Sequence, residues 1–339
     1  MLRLNRCSGS RGKFRMAERV LVTGGAGYVG SHACKALAGA GYEPICLDDL
    51  SGGHTWAVKW GPLERANLMD EGAVDAVMAR YRPSAVLHFA GLIAVGQSVR
   101  EPGRYYRANV GTLLSLLDAM RRQGVGRIVF SSSAAVYGDP VEVPIPETHP
   151  LAPVNPYGAS KRMCERILAD CAAAGDVSAV SLRYFNAAAA DPDSDIGEAH
   201  DPETHLIPLA IRAASEPGFT LRVFGDDYPT PDGTAVRDYI HVSDLADAHV
   251  AALRYLQAGG DTTALNLGTG QGHSVLEVLR AAGEVLGRPV KRTMAPRRDG
   301  DPPRLVADPS RARRILAWEP RYSELRTIVE TAARWHLRN

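Results

Sequence analysis

The 339-residue sequence predicts an α/β protein in which a doubly wound parallel sheet is followed by a smaller α/β domain. Three observations carry this expectation. Short continuous apolar runs alternate with helical stretches over the first ~190 residues, the pattern of βαβ units whose strands are buried on both faces. A glycine-rich turn stands at the first strand-to-helix junction. After Asn186 the regularity gives way to segments rich in Asp, Pro and Gly.

The elements follow in order. RVLVT (19–23) is a short buried strand, GGAGYVG comes next, and a helix runs from Ser31 to about Ala40, where Gly41 ends it. EPICLDD (43–49) is the second strand. AVLHFA (85–90), RIVFSSS (127–133) and AVSLRYFN (179–186) are further strands. Helical periodicity is expected at 70–80, 103–122 and 157–174. Beyond Asn186 one clear helix covers 206–215, VRDYIHV and ALNLG return to strand, and 274–286 is helical. The Pro- and Arg-rich loop APRRDGDPPRL precedes a closing helix at 323–337. Neither a repeat nor a flexible linker is visible, so residues 17–188 and 189–339 are expected as two tightly joined domains, the second sending segments back to the first.

Composition excludes several classes. With 39 basic and 38 acidic side chains the net charge is +1, without the basic excess of a nucleic-acid binder. No apolar run approaches the ~18 residues of a membrane span. The 45% hydrophobic content supports a large core rather than disorder. Arg3, Arg6, Arg11, Lys13 and Arg15 give the first fifteen residues a charge of +5, leaving −4 on the remainder. That head has no apolar h-region, and residues 1–16 are expected to form a disordered extension, with Met16 an alternative start. The five cysteines (7, 34, 46, 164 and 171) show no metal-binding spacing and suit a reducing cytoplasm.

The chemistry begins at Thr23-Gly24-Gly25-Ala26-Gly27-Tyr28-Val29-Gly30. Glycines let the backbone approach a pyrophosphate, and the helix N-terminus behind them supplies N–H donors and a favourable dipole. Asp48, at the end of the second strand, is placed for the adenosine ribose hydroxyls and would repel a 2′-phosphate, so NAD is expected over NADP. A glycine-rich turn with a capping Asp is the bland alternative. In Tyr157-Gly158-Ala159-Ser160-Lys161 the phenol and the ammonium share one helix face. Lys161 is one of five lysines beside 34 arginines. A nearby ammonium lowers a phenol's pKa, but reaching physiological pH takes about 4 kcal/mol, more than Lys161 alone is expected to provide. Ser131, Ser132 and Ser133 end a strand where open sheets place ligands; turn and cap chemistry is the alternative for such a run.

TGGAGYVGSH, LHFAG, SSSAAVYGD, NPYGASK, LRYFNAA, DPETHLIPLA, FGDDYPTPDGTAVRDYIHVSDLADAHV, LNLGTG and PRRDGD together closely resemble the UDP-glucose 4-epimerases of the extended short-chain dehydrogenase/reductase superfamily. The resemblance runs from about Glu18 to Trp335. It implies a Rossmann-type NAD domain over 17–188 and a UDP-sugar-binding domain over 189–339. It also implies interconversion of UDP-glucose and UDP-galactose through a 4-keto sugar, with the C4 hydride passing to tightly bound NAD and returning on the other face. Tyr157 would act as base and acid, Ser133 would assist proton transfer, and Lys161 would hold the nicotinamide ribose. The implied NAD contacts are Gly24, Gly27, Tyr28, Val29, Gly30, Asp48, Asp49, Asn67, Leu68, Phe89, Ala90, Gly91, Ser131, Tyr157, Lys161 and Tyr184. The implied substrate contacts are Ser133, Tyr157, Asn186, His205, Leu206, Phe224, Arg237, Arg298 and Asp301. Arg237 and Arg298 suit a diphosphate through their forked guanidinium geometry. No metal is implied, and a homodimer through a helical face of the first domain is.

Four positions depart from the family pattern. Ile93 stands where some members carry Lys, and Asn67 replaces an Asp that typically faces adenine; its amide carbonyl can still accept a hydrogen bond. Asn109-Val110-Gly111-Thr112 is one residue short of NVxGT. Leu305 occupies the position that limits the sugar's C2 substituent and is neither the bulky Tyr nor the small residue of forms accepting N-acetyl sugars; UDP-N-acetylhexosamine 4-epimerases, and UDP-pentose 4-epimerases that share these motifs, are the alternatives. The dehydratases and decarboxylases of this superfamily carry an acid after the active-site Ser/Thr, where this chain has Ala134 and Ala135. A non-catalytic NAD-binding regulator would have no need of Ser133, Tyr157 and Lys161 together.

Overall fold

A computed structural model describes residues 17–298 and 300–338; the expected N-terminal extension lies outside them. The frame is a seven-stranded sheet in which every pairing is parallel. Its strands are β1 (Arg19–Thr23), β2 (Glu43–Asp48), β3 (Leu63–Arg65), β4 (Ala85–His88), β5 (Arg127–Ser133), β6 (Ser178–Tyr184) and β11 (Thr263–Leu267). The order β11-β6-β5-β4-β1-β2-β3 reverses direction between β1 and β4. Strand alternation splits the core. Val20 and Val22 face a cluster with Leu37 of α1 (Tyr28–Gly39) and Leu245, Leu253 and Leu256 of α8 (Val242–Gln257). Leu21 faces the opposite cluster, built with Met78 of α2 (Glu71–Tyr81), Leu116 and Met120 of α5 (Thr112–Gln123) and Leu168 of α6 (Pro156–Ala173).

The helix expected over 103–122 is broken. It consists of α4 (Pro102–Tyr106), a π-helical turn at Arg107–Gly111, and α5. The wide turn buries Asn109. The strand expected over 179–186 ends at Tyr184; Asn186–Ala188 (β7) leaves the sheet and pairs with β10 (Tyr239–His241). The sequence reading passed over α3 (Val95–Arg100) and α8. Helix α8 buries ten residues, including Asp244 and His249, so it lacks a clean apolar stripe. The buried Asp244 carboxylate accepts from the backbone N–H of Arg321 and Tyr322 and from the Ser323 hydroxyl, tying the last loop to this helix.

After β7 the chain builds a second lobe from α7 (Leu206–Ser215), α9 (Val275–Leu286) and α11 (Leu325–His336), with β8 (Leu221–Phe224) pairing β13 (Arg292–Ala295). Strand β9 (Val236–Arg237) lies between β12 (His273–Ser274) and β14 (Arg304–Leu305). Asp238, just after β9, is fully buried and accepts from the N–H groups of Thr269, Gly270 and Ala307. One carboxylate therefore gathers two separate loops beside the sheet.

A buried polar chain ties the strand ends together. Ser132 donates to Glu165 at 2.5 Å, Glu165 pairs with Arg183 at 2.6 Å, Arg183 donates to Tyr137, and Tyr137 donates to Asn266 at 2.6 Å. The Glu165 and Arg183 side chains are 8% and 6% exposed. Removing one partner would strand the other charge. Glu165→Ala is expected to lower unfolding stability by about 3–5 kcal/mol, read from urea denaturation. A loss below about 1 kcal/mol, the range of exposed pairs, would mean that water reaches Arg183.

Candidate active site

The C-terminal ends of β1, β2, β4 and β5 open into a cavity of about 900 Å³ that reaches the second lobe. At its floor Gly24 adopts φ +71°, and a Cβ on Gly30 would lie 2.1 Å from the Gly24 carbonyl oxygen. Glycine alone lets α1 start this close to the turn. Gly24, Gly27, Tyr28, Val29 and Gly30 all line the cavity. The first turn of α1 has no side-chain cap and no acid. It therefore presents free N–H donors and positive dipole to the cavity, a cradle for an anionic diphosphate.

Asp48 closes the next wall. Its carboxylate accepts from Ala26 N–H at 3.0 Å and Leu50 N–H at 2.8 Å, while burial pushes its pKa up. Asp49, Asn67 and Leu68 line the cavity beside it. Asn67 donates to Asp49 at 2.8 Å, and its carbonyl accepts from Met69 N–H. The amide carbonyl expected to face adenine is thus engaged by the backbone. Phe89, Ala90 and Gly91 form the wall after β4.

At the end of β5 the cavity is lined by Ser131, Ser133, Tyr157 and Tyr184. Asn155 caps α6 by accepting from Gly158 N–H, and Pro156 follows at the first helical position. That cap sets Tyr157 and Lys161 one turn apart. Burial raises the Tyr157 pKa above its usual 10, and a hydrogen bond with the Ser133 hydroxyl opposes this. Lys161 sits behind the wall, its ammonium 5.9 Å from the Tyr157 ring centroid and donating to the Ser131 carbonyl at 2.8 Å. Burial pulls its pKa down to about 8. In this chain alone, therefore, desolvation leaves the phenol's pKa raised, and Lys161 is not among the groups that lower it.

From the second lobe Asn186, His205, Arg237 and Asp301 reach the cavity. Arg237 pairs with Asp301 and donates to the Val236 carbonyl. Besides Lys161, three expected residues lie outside the wall. Leu206 packs into the core of the second lobe, and Phe224 is covered by Arg298, whose guanidinium carbon stands 4.2 Å from its ring centroid. Leu305 lines the cavity and packs against the apolar group around Val136 and Tyr137. Ile93, 48% exposed, lies at the rim.

The sequence profile of the NAD dependent epimerase/dehydratase family matches residues 20–268. The chain belongs to this family. It is 52% identical over 321 residues to a UDP-glucose 4-epimerase of Rhizobium meliloti, covering 95% of this chain and 98% of that one. Its structure resembles the UDP-glucose 4-epimerase of Brucella ovis solved with NAD, with a TM-score of 0.92 and 50% identity over 94% of this chain and 99% of the other. It also resembles the enzyme of Stenotrophomonas maltophila with bound NAD and formylated UDP-arabinopyranose, with a TM-score of 0.92 and 41% identity over 95% and 98% of the chains.

Two polar groupings escaped the sequence reading. Asn109 accepts from Leu92 N–H at 2.8 Å and donates to the Leu92 carbonyl and the Ser160 hydroxyl. It thus pins the loop after Gly91 to α6, beside Lys161. The shortened motif hid this because its role depends on the π turn. The second is a group of four, Glu198, His200, Glu203 and His205, whose signal was the alternation of Glu and His over eight residues.

Proposed function

We propose that this chain is an NAD-dependent UDP-glucose 4-epimerase. The carrying observation is one cavity with an uncapped helix N-terminus at one end, the Ser133–Tyr157 pair at its middle and Arg237 at the other. The residues present fit NAD: the α1 N-terminus would hold its diphosphate and the Asp48 carboxylate its adenosine ribose. When bound, NAD would supply the redox chemistry, reversible hydride acceptance from the sugar C4.

The chain's own residues handle the protons and the anchoring. Tyr157 takes the proton of the 4′-hydroxyl and gives it back, with Ser133 relaying between them. A phenol raised by burial needs a cation to ionise, and Lys161 is the ammonium held nearest it. At pH 7 a group with pKa about 8 is mostly charged. Asn186, His205, Arg237 and Asp301 hold the UDP group, with Leu206, Phe224 and Arg298 completing that set from behind the wall. Ala134 and Ala135 line the cavity and offer no acid for elimination, which supports re-reduction as the outcome.

The remaining proposals concern organisation. Residues 17–188 serve the cofactor and 189–339 the UDP-sugar, with β11 returning to the first sheet. Exposed Val99, Leu114 and Met163 on α3, α5 and α6 support a homodimer through that helical face. The four cysteines among the described residues are free, in keeping with a reducing cytoplasm.

Tyr157→Phe is expected to cut turnover by about 10³-fold or more while the fold and bound cofactor persist, measured by UDP-galactose formation and circular dichroism. Wild-type turnover would rule out the phenolate role. Because Asp48 repels a 2′-phosphate, mass spectrometry of denatured protein should find NAD; recovery of NADP would contradict this placement. With Leu305 on the wall, UDP-glucose/UDP-galactose exchange should outpace the N-acetylated pair. Equal rates would show that Leu305 sets no steric limit.

A further inference from the structure

Beside the proposed UDP contacts, and sharing His205 with them, Glu198, His200, Glu203 and His205 each offer a ligand atom, and all four atoms lie within 4.8 Å of one another. They occupy the segment between β7 and α7, His205 being the N-cap of α7. His200 and His205 line the large cavity, while Glu198, His200 and Glu203 line a second cavity between Trp56 and α7. The cluster is therefore the partition between the two. We propose that it is a binding site for a divalent first-row transition metal, zinc by preference.

Donor chemistry and geometry carry this. Two imidazoles and two carboxylates are a set that zinc accepts, whereas calcium and magnesium prefer all-oxygen shells. Zinc bonds of about 2.0–2.1 Å in a tetrahedron place ligand atoms roughly 3.3 Å apart. Here Glu198 Oε1 lies 2.9 Å from His200 Nδ1 and 2.5 Å from His205 Nδ1, and Glu203 Oε1 lies 3.3 Å from His205 Nδ1. His205 Nδ1 is buried and aimed between the Glu198 and Glu203 carboxylates. The Glu198 side chain is only 2% exposed, and both imidazoles face its carboxylate.

The surroundings already hold the frame. Trp335 donates to the Glu198 carbonyl at 2.9 Å, His54 contacts the Ala199 carbonyl at 2.8 Å, and Tyr28 meets the His200 ring edge-on. A metal here would lock the entry of α7 and the loop carrying His205 against the glycine-rich end of α1. The other acidic group, Asp191, Asp193 and Asp195, is a contrast. Lys35 reaches all three at 2.7–3.0 Å and satisfies them with its own charge.

The test uses untagged, cofactor-loaded protein stripped with chelator, so that it does not depend on epimerase activity. Titration with zinc should show one tight equivalent per chain, and cobalt should give the intense visible bands of a four-coordinate site. His200→Asn and Glu203→Gln should each weaken zinc binding about 100-fold or more, with circular dichroism unchanged. Asp193→Asn should leave it as in the wild type. Zinc uptake no tighter in the wild type than in both variants, or a weak six-coordinate cobalt spectrum, would overturn the proposal. The cobalt spectrum needs no variant, so it decides the matter even if a substitution impairs folding.

Discussion

The molecule is organised by the reversal of strand order between β1 and β4. One crossover carries the chain from β1 to β2 and onward in one direction, and a later one brings it back to β4 on the other side. The connections leave the sheet on opposite faces, and a crevice opens at the strand ends between them. The walls that the first sheet gives the large cavity derive from that reversal. The glycine turn follows β1, Asp48 ends β2, the Gly91 loop follows β4 and the serines end β5. The missing side chain at Gly30 lets α1 begin against the Gly24 carbonyl.

Buried charge follows a consistent logic around this crevice. Carboxylates that hold structure are saturated by backbone donors or by a guanidinium, as with Asp238, Asp244 and Glu165. Lys161 is buried without a carboxylate partner, and its pKa falls to about 8. Tyr157 is driven the opposite way by the same loss of water. Desolvation thus brings two groups with ordinarily similar pKa values into a dry site with opposite shifts. Such a pair responds strongly to any further charge placed between them.

Net charge says little about ligands in this protein. The body beyond the head is acidic, yet the proposed ligands are anions. Their binding rests on local features: N–H groups of a helix start, one buried lysine and an arginine already steadied by Asp301. Local donors in a cleft outweigh a few surface charges that water and salt screen.

Much of this was legible in the chain itself. The strands at 19–23 and 127–133 and the helix at 206–215 coincide with their expected bounds, because each is a local pattern of burial and periodicity. Gly24–Gly30, Asp48, Tyr157 and Lys161 could be named from short-range spacing on one turn or one helix face, whereas Ser133 was singled out from its serine run by the family resemblance. Other features depend on partners far along the chain. Helix α8 was hidden by a buried Asp244 that answers a loop more than seventy residues away. The engagement of Asn67 by Asp49, the clamp of Asn109 on Leu92, the retreat of Leu206 and Phe224 from the wall, and the convergence of Glu198 with His205 all arise from packing. Sequence alone determined which residues could do chemistry, since that follows from residue type and local geometry. Only the tertiary structure decided which of them share a cavity and which are already committed to a neighbour, because hydrogen-bond saturation and burial are properties of the packed chain.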